Sequence, residues 1–222
     1  MFTRYGVYYT AEGAFAEAGA AWLGWRIADG TAVKHPEVEG PHLPELTETP
    51  RKYGFHGTIK PPFVLADGTT EADLRGAFVT LCDTVKPVIC DGLEVARLGR
   101  FLALTPRGDT ADLAALAAKA VRDLDRFRAA PSEAELVKRR QFNLTPAQEE
   151  NLALYGYPYV MDQFRFHMTL TGRTKELDTV QQAAERYFAP FLPSPFRVDA
   201  LTLVGEGDGG RFIEIDRRPL GR

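Results

Sequence analysis

A short pattern that occurs twice places the tightest constraint on how this chain can fold. Residues 56–58 (His-Gly-Thr) and 167–169 (His-Met-Thr) both read His-x-Thr, and the two copies are 111 residues apart. Gly-Arg-Phe also occurs twice, at 99–101 and 210–212, with the same 111-residue offset, which is half of the 222 residues. The repeat predicts an internal duplication of a strand–helix–strand unit, with the two His-x-Thr strands near a shared pseudo-two-fold axis.

Strand patterns and helix patterns alternate along the rest of the chain. Strands are predicted at 4–11, 53–66 and 164–172, in pieces of 87–107, and as a closing hairpin within 196–220; helices are predicted at 12–25, 69–85, 109–130 and 175–191. This order predicts an α+β fold of two duplicated lobes, in which two antiparallel sheets face a central cleft and the helices lie on the outside.

Two segments depart from the repeat. Residues 26–51 contain four prolines and little periodicity, and they predict a long loop of the kind that often has a function. Residues 131–160 contain two helical pieces and a turn rich in tyrosine and proline, and they predict a helical insertion. We expect residues 1–222 to form a single bilobal domain.

Composition limits the class of partner. The net charge is −3 and the sequence pI is about 5.9, so a long nucleic acid is an unlikely partner, whereas a small anionic ligand in a pocket is compatible. Cys82 and Cys90 form no CxxC pair, which indicates buried thiols in a reducing compartment. No segment approaches the roughly 18 apolar residues that span a bilayer. These features predict a cytoplasmic protein with no membrane partner, and they favour a monomer.

The His-x-Thr motif combines residues that suit phosphodiester chemistry. Residues two apart in a strand point the same way, about 7 Å apart along the chain, so each histidine shares a face with its threonine. If the two faces meet, one neutral imidazole takes a proton from the attacking water or hydroxyl, and the other, protonated, gives one to the leaving alkoxide. The threonine hydroxyls donate to the non-bridging oxygens. This chemistry demands neither a metal nor another cofactor.

Further side chains are candidates for substrate binding. Strand parity places Lys60 on the face of the first histidine and Arg165 on that of the second, whereas Tyr53 has the opposite parity and is assigned to packing. Arg139 and Arg140 are candidates for contacting a second anionic group, or they form a basic pair that suits a helix C-terminus. Three tyrosines are candidates for the rim of a sugar or base site, or for packing of the turn: Tyr155, Tyr157 and Tyr159.

Four segments of the chain together resemble the 2H phosphoesterase superfamily, which is defined by two His-x-Thr/Ser-x motifs on duplicated lobes. They are RYGVYY, AWLGW, KYGFHGTIKPPF and FRFHMTLTG, and they are most similar to a bacterial group found with phosphonate-degradation genes. The resemblance implies metal-independent action on cyclic phosphodiesters or 2′-phosphate-type linkages. It assigns the catalytic roles to His56, Thr58, His167 and Thr169. Gly57 departs from the bulkier hydrophobic residue that is usual in the pattern.

The predicted function is therefore that of a metal-independent cyclic phosphodiesterase. The resemblance implies two candidate substrates, a phosphorylated sugar with a 1,2-cyclic phosphate and a 2′,3′-cyclic nucleotide. A non-catalytic binder of a phosphorylated metabolite or an RNA end would use the same cleft without proton transfer. An RNA 2′–5′ ligase-like activity would need a broad basic surface, which the composition does not show. Pseudo-symmetry leaves open which histidine is the acid and which is the base.

Overall fold

The structure, a computed structural model, describes residues 2–221. Its strands are β1 (Tyr5–Thr10), β2 (Trp25–Arg26), β3 (Thr31–Ala32), β4 (His56–Phe63), β5 (Val88–Cys90), β6 (Gly92–Leu98), β7 (Phe101–Arg107), β8 (Met168–Thr169), β9 (Phe196–Val198), β10 (Ala200–Glu206) and β11 (Phe212–Pro219). Its α-helices are α1 (Gly13–Leu23), α2 (Leu43–Leu46), α3 (Glu48–Arg51), α4 (Glu71–Thr84), α5 (Ala111–Asp123), α6 (Glu133–Arg140), α7 (Pro146–Tyr155) and α8 (Leu177–Phe188).

Seven strands form an antiparallel array in the order β11-β10-β1-β4-β8-β7-β6. The array has two parts, β11-β10-β1-β4 and β8-β7-β6, which meet through a single residue pair, Gly57 with Met168. The predicted α+β class with antiparallel sheets is thus confirmed. The two parts join at the middle residues of the two His-x-Thr motifs.

The order of elements occurs twice along the chain. The series β4, α4, β5, β6, β7 is followed in the second half by β8, α8, β9, β10, β11. The closing hairpin of each half lies with the His-x-Thr strand of the other half. The hairpin β6–β7 of the first half lies beside β8, and the hairpin β10–β11 of the second half lies with β1 and β4. The equivalent strands β5 and β9 pair with each other. This exchange of hairpins ties the halves together and sets the two motifs side by side.

A continuous hydrophobic core links α1, α4, α5 and α8 to the sheet. Trp22 of α1 is fully buried, and its Nε1 donates to the Leu170 carbonyl at 3.0 Å. Helix α4 begins at a capping box in which Thr70 accepts from the Asp73 backbone N–H. Each fully buried large apolar side chain contributes about 1.5–3 kcal/mol. The core therefore holds the sheet rigidly beneath the two motifs.

The two unusual segments have different structures. Residues 26–51 contain β3 and the one-turn helices α2 and α3, and Arg51 anchors them by donating from Nε to the Leu23 carbonyl at 2.8 Å. Residues 131–160 contain α6 and α7, each of which starts at a capping box. Helix α6 contributes no buried residue to the core. Within residues 2–221, no helix is both long enough and apolar enough to cross a bilayer.

Candidate active site

The two His-x-Thr motifs lie side by side where the two parts of the sheet meet. Gly57 pairs with Met168 in an antiparallel register. Continuing that register by one residue in each direction sets each histidine opposite the threonine of the other motif. The four side chains occupy the corners of a square on one face, and the histidines lie on a diagonal, where neighbours are about 7–8 Å apart. The structure thus brings together four predicted residues: His56, Thr58, His167 and Thr169.

Both imidazole rings are oriented by the same local contact. Nδ1 of His56 lies 2.9 Å from the Gly54 carbonyl oxygen, and Nδ1 of His167 lies 2.8 Å from the Arg165 carbonyl oxygen. Because a carbonyl oxygen only accepts hydrogen bonds, each Nδ1 carries a proton and Nε2 is the nitrogen whose protonation can change. Nε2 therefore offers a lone pair in the neutral ring and an N–H in the charged ring, which are the two forms that acid–base catalysis uses.

The surroundings of His56 keep its ring neutral. The Tyr8 ring stacks on it, with ring centroids 3.9 Å apart and planes inclined by 26°, and Thr58 Oγ1 lies 3.0 Å from Nε2. Protein atoms surround the ring closely, and this burial lowers the pKa of His56 to about 4. The nearby His167 contributes further to the lowering, while the carbonyl at Nδ1 opposes it. At pH 7 the ring is therefore neutral and Nε2 accepts from the Thr58 hydroxyl.

A cavity opens at each end of the histidine diagonal. The first, the Tyr53 cavity, measures about 470 Å³ and is lined by His56 and Thr169 together with Tyr53, Phe101 and Arg173. The second, the Tyr157 cavity, measures about 380 Å³ and is lined by Thr58 and His167 together with Tyr157, Tyr159 and Arg165. A phosphorus atom held above the square is thus accessible from both sides. In-line displacement needs this geometry, because the attacking and leaving oxygens lie on opposite sides of phosphorus.

The glycine between His56 and Thr58 permits a close contact between the two motifs. A Cβ at Gly57 would overlap the ring of Phe166, the residue before the second histidine. Both Gly57 and Phe166 are buried. The departure from a bulkier residue at this position therefore lets the phenylalanine of one motif pack directly against the backbone of the other.

Lys60 does not reach the cleft, so the prediction from strand parity is wrong here. The β1–β4 register shifts by one residue at Ile59, which is an extra residue on β4. Such a bulge reverses the face on which the following side chains lie. Lys60 is buried beneath the sheet, where Nζ donates to the Val121 carbonyl at 3.1 Å and to the Asp125 carboxylate at 3.3 Å. Burial lowers the pKa of Lys60 to about 8, and Asp125 opposes that change.

The three predicted arginines have different environments. Arg165 is exposed and lines the Tyr157 cavity. Arg139 lies over the ring of Tyr157, with Cζ 4.6 Å from the ring centroid, and so lies beside the same cavity. Arg140 instead forms an ion pair with Glu149 at 2.5 Å, which joins α6 to α7. Arg140 is thus engaged in holding the insertion together, in contrast to the prediction that it contacts a ligand.

Tyrosines from three parts of the chain contribute to the site. Tyr155 is the last residue of α7 and lines neither cavity; Gly156, at φ 69°, turns the chain so that Tyr157 lines one. Tyr53, which parity assigned to packing, lies before β4 begins, and its ring centroid is 6.2 Å from that of His56. Tyr8 was not a candidate at all. The only available signal was its place in an aromatic strand that is able to pair with β4.

The thiols match expectation, and the potential metal ligands are dispersed. Cys82 and Cys90 are both free and buried, as their number and spacing predicted. Among residues 2–221, no three His, Cys, Asp or Glu side chains are grouped so that they could hold a metal ion together.

These features define a class of protein: an antiparallel α+β fold with a paired His-x-Thr cleft, the arrangement implied by the resemblance to 2H phosphoesterases.

The chain belongs to the family described as "Protein of unknown function (DUF1045)", whose model matches residues 58–213. It is similar to the "Ribose 1,5-bisphosphate phosphokinase PhnN" of Janthinobacterium sp. (strain Marseille), with 37% identity over 230 residues, 98% of this chain and 51% of that protein. The protein of the same name from Laribacter hongkongensis (strain HLHK9) is 30% identical over 220 residues, 96% of this chain and 51% of that protein. The chain thus spans about half the length of these relatives.

Solved structures are also similar to this chain along its length. One is E. coli LigT complexed with NADP+, which is 14% identical, with a TM-score of 0.48 over 100% of this chain and 99% of that one. Another is a structure described as a phosphoesterase, which is 14% identical, with a TM-score of 0.45 over 100% of both chains. Likenesses of this degree carry no information about chemistry, so the function has to be inferred from the site itself.

Proposed function

We propose that this cleft hydrolyses a cyclic phosphodiester of a small phosphorylated ribose or of a ribonucleotide. The observation that supports the proposal is the diagonal placement of His56 and His167 on one face of the sheet, between two cavities. Each ring is fixed through Nδ1 and so presents Nε2 for proton transfer. Positioned groups of this kind typically accelerate proton transfer by about 10²–10⁴-fold.

The reaction adds one water molecule across one phosphorus–oxygen bond. In the Tyr53 cavity, Nε2 of His56 accepts a proton from water as the water oxygen bonds to phosphorus. The bond from phosphorus to one sugar oxygen breaks on the opposite side, and Nε2–H of His167 donates a proton to that oxygen. The products are a ring-opened phosphomonoester and two histidines that have exchanged roles. The Thr58 hydroxyl, which donates to Nε2 of His56 when no substrate is bound, turns to a non-bridging oxygen of the substrate and so frees Nε2 for the water. It and the Thr169 hydroxyl form hydrogen bonds to the non-bridging oxygens, whose negative charge increases in the transition state.

The packing of His56 supports its assignment as the base. A general base must be neutral before the reaction, and close burial against Tyr8 lowers the pKa of His56 to about 4. His167 lines the opposite cavity, where the leaving oxygen lies. The surroundings of the two rings therefore break the symmetry that the motifs alone suggest.

The names of the relatives agree with a phosphorylated ribose as the substrate. Both are called ribose 1,5-bisphosphate phosphokinase PhnN, which names a ribose that carries phosphates and fits the link to phosphonate degradation implied by the sequence resemblance. We attribute the kinase activity in that name to the half of those proteins that this chain does not match. The two histidines and two threonines of the cleft are suited to hydrolysis by proton transfer.

The proposal is tested by incubating the protein with 2′,3′-cyclic nucleotides and with ribose 1,2-cyclic phosphates in the presence of EDTA. Phosphorus NMR distinguishes the cyclic substrate from the ring-opened monoester. We expect turnover of at least one of these substrates with chelator present. Binding of a cyclic phosphate without any ring opening would instead identify a non-catalytic binder, and hydrolysis that stops when EDTA is added would contradict the metal-independent reaction.

A further inference from the structure

The residues that line the Tyr157 cavity include one arginine, Arg165, and no carboxylate. Arg165 reaches it from the segment before the second motif, and Arg139 reaches its edge from α6, above the Tyr157 ring. Among residues 2–221, neither guanidinium has a carboxylate within the 4.0 Å that defines an ion pair. Arg140, the neighbour of Arg139 on the same helix, does have one, namely Glu149. Of the two adjacent arginines on α6, the one at the cavity is thus the one without a carboxylate partner.

Arg139 also has an unfilled hydrogen-bond requirement. Its Nε is shielded from solvent and has no hydrogen-bond acceptor. A shielded N–H without an acceptor has lost its hydrogen bond to water and gained none in return, so native proteins rarely contain one without a reason. Stacking on Tyr157 holds the guanidinium plane in place and leaves its remaining N–H groups available. An anion at the edge of the cavity would satisfy this donor.

We infer that Arg139, Arg165 and Tyr157 form a subsite for a second phosphate of the substrate, next to the phosphorus on which the histidines act. This inference rests on the proposed function, and it narrows the substrate to a ribose that carries both a cyclic phosphate and a second phosphate. A guanidinium binds phosphate oxygens through paired N–H groups, a geometry that an ammonium group does not offer. The α6–α7 insertion therefore provides substrate specificity.

The subsite also agrees with the direction of the reaction. The leaving oxygen lies on the His167 side and belongs to the sugar, so the sugar occupies the cavity that His167 lines. A second phosphate on that sugar then extends toward Arg165 and the Arg139–Tyr157 stack. The attacking water uses the other cavity, which Tyr53 and Phe101 line.

The test compares two ligands that differ only in the second phosphate, adenosine 3′-phosphate and adenosine 3′,5′-bisphosphate. Calorimetry at fixed ionic strength gives their dissociation constants for the wild type and for Arg139→Ala, Arg165→Ala and Lys138→Ala. Lys138 is an exposed residue of α6 that lines neither cavity, so its substitution removes one positive charge without breaking the Arg140–Glu149 pair. We expect the wild type to prefer the bisphosphate by about tenfold or more, because hydrogen bonds between a guanidinium and a phosphate are charge-assisted. Arg139→Ala and Arg165→Ala should remove most of this preference, and Lys138→Ala should keep it.

Several outcomes would overturn the subsite. They are a wild type without preference, a preference that survives in Arg139→Ala and Arg165→Ala, and an equal loss in Lys138→Ala, which would show only a general charge effect. Arg165→Ala leaves the backbone carbonyl that orients His167 unchanged, so the variant separates ligand binding from ring orientation. Binding is measured without turnover, so the two proposals can fail separately. A wild type that prefers the bisphosphate but hydrolyses no cyclic phosphate would contradict the proposed function and still support the subsite.

Discussion

The two His-x-Thr motifs share one sequence pattern and one way of orienting the ring, yet their surroundings differ. His56 begins an eight-residue strand, is stacked closely by Tyr8 and contacts its own threonine. His167 precedes a two-residue strand, and its aromatic neighbour Phe101 has its centroid 6.1 Å away, with the planes inclined by 54°. The comparison shows that the repeated pattern supplies a pair of rings, whereas the neighbouring strands give each ring a different role.

Removing either histidine should have the largest effect. His56→Ala and His167→Ala should each lower kcat by about 10²–10⁴-fold, because each removes a proton-transfer group from the same step. The kcat of the double variant should be only slightly below that of the less active single variant, since the two groups act as a unit. His42→Ala, at an exposed histidine that lines neither cavity, is the control and should retain full activity. Turnover within twofold of wild type in either single variant would contradict the two-histidine reaction.

The threonines should follow with a smaller loss. Thr58→Val and Thr169→Val each remove one hydroxyl donor to the non-bridging oxygens, and we expect kcat to fall by about 10²-fold with the fold intact. Because only Thr58 contacts its histidine, Thr58→Val should also change the pH dependence of kcat/KM, whereas Thr169→Val should leave its shape unchanged. If both variants changed the shape of the pH profile of kcat/KM in the same way, the two motifs would be equivalent.

A pair of glycines tests the close contact between the motifs. Gly57→Ala should lower the free energy of unfolding by about 1–3 kcal/mol, because the new methyl group overlaps Phe166 and the core has to shift. Gly76→Ala, within α4 and with no atom near the added Cβ, should raise it by about 0.5–1 kcal/mol. Urea denaturation measures both. Equal effects from the two substitutions would argue against direct packing of Phe166 on the Gly57 backbone.

The remaining prediction concerns stability in acid. An unfolded histidine titrates near about 6.5, whereas burial lowers the pKa of His56 in the folded protein to about 4. Between these values the unfolded chain binds a proton that folded His56 does not, so stability falls as pH falls from about 6.5 toward 4. The total loss in the free energy of unfolding over this pH range is about 3 kcal/mol, and it is smaller to the extent that the cavity admits water to the ring.

His56→Ala should flatten this acid dependence, and Tyr8→Leu, which exposes the ring, should flatten it in part. Urea denaturation at several pH values provides the measurement. If His56→Ala keeps the wild-type loss of stability between pH 6.5 and pH 4, the ring does not have the lowered pKa.

The features of the site that could be predicted from the sequence are those that depend on local periodicity. The parity of a strand put each histidine beside its threonine, and the shared offset of the two motifs predicted that they meet in one cleft. The parity argument failed at Lys60, because it assumes that the strand pairing continues without interruption. The extra residue Ile59 moves the side chain of Lys60 to the opposite face of the sheet. The parity argument also failed at Tyr53, which lies before the strand begins.

Contacts between distant segments were not predictable from the pattern. Tyr8 reaches His56 only because β1 and β4 are neighbours, and this pairing is decided by the whole sheet. Arg139 and Arg140 are adjacent on one helix and chemically identical, so no local signal separates them. The position of Glu149 on α7 decides that Arg140 is paired and Arg139 is free to stack on Tyr157.

The central claim is that both imidazoles contact one phosphorus-centred group. An NMR titration with inorganic vanadate, which adopts the five-coordinate geometry of an in-line displacement, tests this most directly. The chain has four histidines, so His56→Ala and His167→Ala spectra assign the two relevant ring signals. We predict that both signals shift with a single dissociation constant and that either substitution abolishes the response of the other ring. A response of one ring alone, or two rings that titrate with different constants, would contradict a shared site.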